Sequence, residues 1–379
     1  MRLSPRLRLP NRLATLRHRR LGLSEQNVPP TLDATFNLDF DSRLDDVMLQ
    51  AVDEMASSSP MLASMGKYHL GWLDRNFDPV DASLLEKGKR IRPKIALLSC
   101  MAVSGKPEPA LLIAAAIELL HNFTLIHDDI QDASPLRRHR ETVWSIWGVG
   151  QAINAGDALF AASHRLLLSA ANHGAPAETV LTLAAAFDQM TIDIVGGQVM
   201  DLQFEDGVPA TVELYLQMIS RKTAAIVEFA AWAGAVAGGS TDTQATQFGQ
   251  FGKWLGTGFQ LRDDVLGVWG KSSETGKPEA DDIRRKKQSL PIVLLRETAT
   301  VAEQEALSGI FSQPLVTEPD IDAILMMLET RQVRARANNL VLEYHLRADQ
   351  ALERVGAVSG PEAIEALHAL VAALSSRQH

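Results

Sequence analysis

Apolar residues recur along most of the chain at the three- and four-residue spacing of a helix that buries one face or more. Alternating β-branched runs are nearly absent, and the good helix formers Ala, Leu, Glu and Gln are common. The pattern predicts helices over residues 84–103, 110–132, 142–172, 177–201, 212–237, 243–268, 288–298, 321–355 and 361–375. We therefore expect an all-α fold, a single large helical domain with its most apolar helices at the centre.

The composition is typical of a globular protein that is held together by its core. Apolar residues make up 46% of the 379 positions and charged residues 22%, which excludes a mainly disordered or fibrous chain. The single cysteine, Cys100, cannot form an intrachain disulfide, so we expect a cytoplasmic protein. The most apolar stretch, 110–126, is interrupted by Glu118, His121 and Asn122, and it is shorter than a membrane span of roughly 18 apolar residues. We expect a buried helix there and no transmembrane segment.

The charge is unevenly distributed along the chain. The net charge is −9, but residues 1–30 contain seven arginines and a single acid, Glu25, so the remainder carries about −15. An acidic body repels the phosphates of nucleic acids, and we expect no nucleic-acid partner. We expect residues 1–40 to be a basic, disordered N-terminal extension and residues 41–379 to form the all-α domain. A transit peptide and a start codon assigned too far upstream are alternative interpretations of the extension.

The first segment with candidate chemistry is an apolar helix that ends in acids. At 100° per residue, His121, Asp128 and Asp132 fall within about 40° of one another, with Asp129 beside them. Buried carboxylates need cations or water, because an unpaired buried charge costs several kcal/mol. A magnesium ion shared with a substrate phosphate would satisfy them.

A second apolar helix also presents adjacent carboxylates. Gln260, Asp263, Asp264 and Gly267 share one helical face. If the two helices face each other, they form a strongly negative cavity that divalent cations and a diphosphate would neutralise. The alternative is that both are solvated helix ends with no chemical role. Basic groups that are suited to phosphate lie at Gly88–Arg92, Arg137-Arg138, Lys222, Lys277 and Arg284–Lys287.

These segments together resemble the trans-isoprenyl diphosphate synthases of the polyprenyl synthetase family. The matching motifs run in the family's order over about residues 85–295, and they are GKRIRP (88–93), HNFTLIHDDIQD (121–132), RR (137–138), GD (156–157), GGQVMDL (196–202), KT (222–223), FQLRDD (259–264), TGK (275–277) and Lys287. The resemblance implies an isoprenoid synthase fold around a central cavity, usually in a homodimer. It also implies condensation of isopentenyl diphosphate with an allylic diphosphate, with three Mg²⁺ ions that bridge the allylic diphosphate to the acidic motifs.

The resemblance carries roles onto individual positions. It assigns metal binding to Asp128, Asp132 and Asp263, with support from Asp129 and Asp264. It assigns the allylic diphosphate to Arg137, Lys222 and Lys287, with Thr223, Gln260 and Lys277 close by. It assigns isopentenyl diphosphate to Lys89, Arg92, His121 and Arg138, and it places Gln198 and Asp201 over the reacting carbons or near the metals. The catalytic residues that it implies are Asp128, Asp132, Asp263, Lys222 and Gln260.

Two positions depart from the family pattern. The last acid of the second DDxxD motif is replaced by Gly267, a change that we expect activity to tolerate. Glu141 stands where the family has proline, which adds a negative charge near the arginine pair in the sequence.

The residues just before the first aspartates bear on product length in this family. Phe123 precedes Asp128 by five residues, about 7–8 Å along the helix, and is followed by the small Thr124. This arrangement resembles the archaeal type of geranylgeranyl diphosphate synthase, so we expect a C20 product, with the C15 farnesyl diphosphate as the alternative. In the simplest alternative, Phe123 is only a core aromatic.

Three other functional classes remain open at this point. A non-catalytic synthase subunit usually lacks an acidic motif, whereas both are present here. A class I terpene cyclase would not need the isopentenyl diphosphate residues. A helical scaffold without enzymatic activity would leave the paired acids and arginines unexplained.

Overall fold

The structure is a computed structural model, and it describes residues 32–81, 88–272 and 278–375, with side chains from residue 40 onward. The chain divides into two compact units, Met1–Ser42 and Arg43–His379. Of the first unit, the structure describes the beginning of helix α1, which starts at Leu32. Residues 32–40 are therefore helical, although we expected disorder up to residue 40. The rest of the predicted extension lies outside the described residues.

The described residues are almost entirely helical, which confirms the all-α class. The α-helices are α1 (Leu32–Asp53), α2 (Pro60–His69), α3 (Ile91–Ser104), α4 (Leu111–Gln131), α5 (Val143–Trp147), α6 (Val149–Ser169), α7 (Ala177–Glu205), α8 (Val212–Ile219), α9 (Ala225–Ala237), α10 (Asp242–Trp269), α11 (Asp281–Arg284), α12 (Leu290–Thr298), α13 (Val301–Ser312), α14 (Glu318–Thr330), α15 (Val333–Glu353) and α16 (Pro361–Ser375). A π-helical turn, Ser220–Ala224, joins α8 to α9. Two short antiparallel strands, β1 (Leu136–Arg137) and β2 (Arg140–Glu141), form a hairpin after α4.

Several predicted helices begin late or break where one residue adopts a left-handed backbone. The stretch 142–172 divides into α5 and α6 at Gly148, whose φ is +86°. The stretch 321–355 divides at Gln332, with φ +51°, into the end of α14 and α15. Helix α3 begins only at Ile91 because Arg90 has φ +45°, and residues 84–87 lie outside the described part. A right-handed helix cannot continue through a left-handed residue, but apolar spacing continues across the break undisturbed.

Long apolar helices form the centre of the second unit. Helix α10 packs between α9 and α15, α9 also packs against α3, and α4 pairs along its length with α6. Phe187, Phe248 and Phe251 are among the largest fully buried side chains. The backbones of α9 and α10 approach closely because Gly252 has no Cβ to collide with the carbonyl of Val227. This packing fixes the relative positions of the two acidic helices, α4 and α10.

Two helical segments pass a length and composition test for a membrane span. In Glu108–Gln131, 67% of the most apolar 18-residue stretch is buried inside the protein, as expected of a core helix. In Ala177–Glu205 only 39% is buried, so this helix exposes an apolar surface. The absence of a transmembrane segment stays a prediction.

Candidate active site

The end of α4 divides its acids between two environments. Burial raises the pKa of Asp128 to about 6, and the carboxylates of Asp132 and Asp201 act in the same direction, against the cations Lys222 and Arg137. A carboxyl group whose pKa is raised by burial and by like charges has too little positive charge around it. The position is therefore suited to an additional cation.

Asp129 faces the protein. It is 2% exposed, and the Nε of Arg137 donates to both its oxygens, at 2.8 and 3.1 Å. The Nη2 of Arg137 lies 2.8 Å from Oδ1 in the same ion pair. This bidentate contact occupies the carboxylate and fixes the arginine. Asp129 therefore positions Arg137, and its geometry differs from that expected of a direct metal ligand.

The arginine pair is presented by the β1–β2 hairpin. Its two-residue turn consists of Arg138 and His139, with φ values of +49° and +61°. A turn of this kind requires positive φ at both positions and favours glycine or asparagine there. Each non-glycine residue in that region costs of order 1–3 kcal/mol, a strain that clusters at functional sites. The Arg138 guanidinium is directed against Gly88, so the hairpin and the loop before α3 meet.

The residues predicted to bind isopentenyl diphosphate lie near one another. Burial and the charges of Arg92, Arg138 and Arg137 hold the pKa of His121 well below its usual value. Burial likewise lowers the pKa of Arg92, against the opposing charges of Glu118 and Asp263. Within the described part of the chain, no group is hydrogen-bonded to the buried Nε of Arg92. Lys89 precedes this cluster on an exposed stretch of the same loop.

The two carboxylates of the second acidic pair, Asp263 and Asp264, also differ in burial. Asp264 is buried, and its carboxylate accepts hydrogen bonds from the Tyr215 hydroxyl at 2.5 Å, Gln260 Nε2 at 2.8 Å and the Leu290 backbone N–H at 2.8 Å. Burial nevertheless raises its pKa. Asp263 is only partly buried and lies within electrostatic range of Arg92. Asp264 therefore anchors α10, whereas Asp263 is the more exposed carboxylate of the pair.

Lys222 and Thr223 lie on the π-helical turn between α8 and α9. Lys222 forms an ion pair with Asp201 of α7, and Thr223 donates to Gln260 Oε1 at 3.0 Å. Gly197 of α7 permits this approach, because a Cβ there would collide with the backbone of Lys222. Single π turns inside helices are frequent at functional sites. Gln260 thus bridges the lysine segment to Asp264.

Charged groups between the two acidic helices connect them. Glu205, at the end of α7, has a pKa raised by partial burial and by Asp201 and Asp132, against the cations Lys222 and Lys287. Lys287 also acts on Asp264. The acids of α4 and the second acidic motif of α10 are therefore adjacent to one continuous charged region. Lys277, which we expected beside the allylic diphosphate, lies outside the described residues.

The donor set fits magnesium that is shared with a phosphate. Within the described residues, no three His, Cys, Asp or Glu side chains converge into a metal-binding group. Mg²⁺ typically binds through one or two carboxylates plus substrate phosphates and water. Asp128, Asp132 and Asp263 carry carboxylate oxygens of the kind that Mg²⁺ prefers, and burial raises the pKa of Asp128.

Both departures from the family pattern have structural explanations. A Cβ at Gly267 would collide with the carboxylate of the buried Asp282, so an acid there would also bring two like charges together. The Glu141 carboxylate pairs with Arg75 at 2.9 Å, so its charge has a partner outside the arginine pair of the hairpin.

Phe123 belongs to an aromatic group between α4 and α6. Its ring centroid lies 4.8 Å from that of His127 and 5.4 Å from that of Phe160. The Thr124 hydroxyl donates to the His121 carbonyl of its own helix at 2.7 Å. His127 in turn packs over Gly156, where a Cβ would collide with the imidazole. Aromatic side chains from both helices therefore pack against one another within the turn and a half before Asp128.

Three further residues of this region, Glu205, Tyr215 and His69, lie outside the family motifs. Glu205 follows Gln198 and Asp201 at helical spacing, which was a usable signal. Tyr215 and His69 carry no such signal, because their partners come from distant segments. Gln198, for which the sequence predicted a place in the site, is buried, and its Nε2 donates a hydrogen bond to Gln131 Oε1 at 2.8 Å.

Comparison with known sequences identifies close relatives. A family model described as polyprenyl synthetase matches residues 75–328. A geranylgeranyl diphosphate synthase of Mycobacterium tuberculosis is 36% identical over 278 residues, which cover 73% of this chain and 76% of that protein. A (2E,6E)-farnesyl diphosphate synthase of the same organism is 34% identical over 272 residues, 72% of this chain and 68% of that protein.

Comparison with solved structures leads to the same family. A polyprenyl synthetase from Streptomyces coelicolor superposes with a TM-score of 0.80 at 31% identity, over 89% of this chain and 97% of that one. A geranylgeranyl pyrophosphate synthase from Corynebacterium glutamicum, solved with isoprenyl diphosphate and magnesium, gives a TM-score of 0.74 at 26% identity, over 89% and 99%. The chain has the isoprenoid synthase fold, belongs to the polyprenyl synthetase family and is a prenyltransferase of the prenyl diphosphate synthase type.

Proposed function

We propose that this enzyme condenses isopentenyl diphosphate with an allylic diphosphate, head to tail, and releases geranylgeranyl diphosphate as its main product. One observation carries the proposal, which is that the same cations lie near both acidic helices. Arg92 lies near Asp263 on α10, and Arg92 and His121 lie near the arginines of the hairpin. Arg137 and Lys222 act electrostatically on Asp128 of α4. Two carboxylate-bearing helices therefore lie beside one set of phosphate-binding cations. That arrangement suits a reaction between two diphosphate esters.

The charged residues form two groups, one for each diphosphate substrate. Lys222, Arg137 and Lys287 bind the allylic diphosphate and stabilise the negative charge that it gains as its C–O bond breaks. Lys89, Arg92, His121 and Arg138 hold isopentenyl diphosphate next to the allylic carbon. The double bond of isopentenyl diphosphate then attacks the allylic cation that remains when the diphosphate leaves. The apolar walls of α4 exclude water from the allylic cation. The proton lost from the new chain passes to the departing diphosphate.

Asp128, Asp132 and Asp263 would hold magnesium, with three ions per site when the diphosphate is bound. The chemistry that magnesium supplies there is Lewis-acid stabilisation of the leaving diphosphate. Support comes from the burial of Asp128, which raises its pKa together with the carboxylates of Asp132 and Asp201, and from the magnesium in the Corynebacterium relative. Asp129 and Asp264 support the site by holding Arg137 and α10 in place.

The test combines purified protein, Mg²⁺, isopentenyl diphosphate and each of the C5, C10 and C15 allylic starters. We expect diphosphate release that requires Mg²⁺ and a C20 product by mass spectrometry. Asp128→Ala should lower kcat by about 100-fold or more. Arg92→Ala should raise the KM for isopentenyl diphosphate more than the KM for the allylic partner. An inactive wild-type protein would contradict the proposal, and a cyclic hydrocarbon made without isopentenyl diphosphate would identify a terpene cyclase.

Product length rests on the aromatic group formed by Phe123, His127 and Phe160. Phe123, which precedes Asp128 by about 7–8 Å along α4, limits how far a growing chain can extend. The relatives include both farnesyl and geranylgeranyl diphosphate synthases, so C15 is the alternative. A product distribution that ends at C15 with every starter would select that alternative.

We further propose that the enzyme works in the cytoplasm as a homodimer that forms through α6 and α7. Helix α7 carries an exposed apolar stripe at helical spacing, with Ile192 64%, Val195 49% and Val199 50% exposed, and Ile153 on α6 is 42% exposed. An apolar stripe of this size is typical of a protein interface. Sedimentation should show a dimer for the wild type and a monomer for Ile192→Asp, and a monomeric wild type would contradict the proposal.

A further inference from the structure

The hairpin that carries the arginine pair needs support from the rest of the protein. Each of its strands has two residues, and a two-stranded hairpin by itself is marginally stable at best in water. Its turn residues, Arg138 and His139, both have positive φ, a strain that persists only where the surroundings over-determine it. The register also places Arg137 directly opposite Arg140, where like charges repel. Contacts from outside the hairpin therefore fix its position.

Arg140 on β2 links the hairpin to the end of α2. Its Nη1 donates to the Tyr68 carbonyl at 3.2 Å, and its Nη2 donates to the Leu73 carbonyl at 2.7 Å. Its guanidinium carbon lies 4.3 Å from the centroid of the Tyr68 ring, within the range of a cation–π contact. Tyr68 belongs to the last turn of α2, where a cation interacts favourably with the helix dipole and the terminal carbonyls.

Tyr68 adds a second link to the same strand. Its side chain is buried, and its hydroxyl donates to the Glu141 carbonyl at 2.7 Å. Its ring packs edge-on against Trp147 of α5, with 5.0 Å between the ring centroids. Both residues of β2, Arg140 and Glu141, are therefore attached to one tyrosine that is itself held between two helices.

These contacts distinguish Arg140 from the arginine pair beside it in the sequence. By residue type it could be a third phosphate ligand, but two backbone carbonyls already occupy the planar fork that suits a phosphate. We propose that Arg140 is a positioning residue that fixes the hairpin to the end of α2 and so places Arg137 and Arg138 for the two diphosphates. The inference rests on the proposed function, because it names what holds the arginines that we assign to the substrates.

The test separates the shape of the guanidinium from its charge. Arg140→Lys retains the charge but not the planar fork that reaches two carbonyls and stacks on a ring. Tyr68→Phe removes only the hydroxyl that is bonded to Glu141, and it changes no charge. The control is Arg347→Lys, at an arginine that also lies over an aromatic ring, 5.0 Å from the centroid of Tyr344. The KM for each substrate is measured with the other at saturation.

We expect Arg140→Lys to raise the KM for both substrates by similar factors of about 10-fold, because Arg137 and Arg138 are displaced together. Tyr68→Phe should raise both KM values by about 2- to 10-fold, the range for one hydrogen bond between neutral groups. Amide hydrogen exchange over residues 136–142 should be faster in both variants than in the wild type. Arg347→Lys should change neither KM by more than about twofold and should leave the exchange unchanged.

Thermal unfolding shows whether each variant is folded, and Tyr68→Phe, the smaller change, provides the test if Arg140→Lys is not. Wild-type KM values for Arg140→Lys would overturn the inference, because charge alone would then be sufficient. A rise for one substrate only would also overturn it, as would a loss of kcat with both KM values unchanged. Hydrogen exchange does not depend on turnover, so unchanged exchange of the hairpin overturns the inference separately from any failure of the proposed function.

Discussion

Removing the Tyr215 hydroxyl, which is hydrogen-bonded to Asp264, tests how α10 is held in place. It donates to Asp264 Oδ2 at 2.5 Å, and both side chains are buried, with exposures of 1% and 7%. Tyr215→Phe removes that hydroxyl and leaves the ring in place. Oδ2 then retains one donor, the Leu290 backbone N–H, and Oδ1 retains Gln260.

The expected loss of stability follows from the charge on the acceptor, the Asp264 carboxylate. A hydrogen bond to an ionised group contributes about 1.5–3 kcal/mol, and its loss leaves the buried carboxylate with two of its three donors. Total stabilities are about 5–15 kcal/mol, so a loss of that size is easily measured. Urea unfolding, with unchanged dependence on denaturant concentration, should give a free energy of unfolding lower by about 1.5–3 kcal/mol.

The same change should weaken the metal site. Asp264 adjoins Asp263 on α10, and Gln260 connects it to Thr223 on the lysine segment. Loss of a residue that orients a metal ligand typically costs about 10- to 100-fold in metal affinity or activity. The half-saturating Mg²⁺ concentration of Tyr215→Phe should therefore rise by about 10-fold.

Tyr344→Phe is the matched control, because the Tyr344 ring contacts Trp254 and the Arg347 guanidinium rather than the acids of α10. It should change the free energy of unfolding by less than about 0.5 kcal/mol and leave the Mg²⁺ dependence unchanged. If Tyr215→Phe behaves like this control in both measurements, our account of how α10 is held is wrong.

Three further changes test other parts of the structure. Phe123→Ala should lengthen the product by at least one C5 unit, and an unchanged product spectrum by mass spectrometry would exclude Phe123 as a barrier. Gly267→Asp should lower the free energy of unfolding by about 1–3 kcal/mol, because its Cβ and charge meet Asp282, and a variant as stable as the wild type would contradict that contact. Hydrogen bonds from Arg331 and Thr300 lower the pKa of Glu303 to about 2, so the pairing stabilises the fold above about pH 4.5 and is lost as the pH falls toward 2. The difference in urea stability between the wild type and Glu303→Gln should therefore shrink over that range, and a constant difference would refute it.

Local patterns were sufficient to predict most helices and the face that Asp128 and Asp132 share. Apolar spacing predicted α4, α6, α7 and α10, and a rotation of 100° per residue placed Asp128 and Asp132 on one face. Both inferences depend only on neighbours along the chain. The helix breaks at Gly148 and Gln332 were missed because a left-handed residue leaves the apolar spacing intact.

The sequence by itself determined the all-α class, the two acid-bearing helices and the set of cations, since these follow from residue type and helical spacing. The family resemblance gave Asp129 and Asp264 supporting roles, but residue type and spacing alone do not separate them from their neighbours. Only the tertiary structure shows the contacts that do: Arg137 of a hairpin binds Asp129, and Tyr215 of another helix binds Asp264. Such partners are set by how whole helices pack, and the energy of a buried charge depends on those distant groups more than on its own segment.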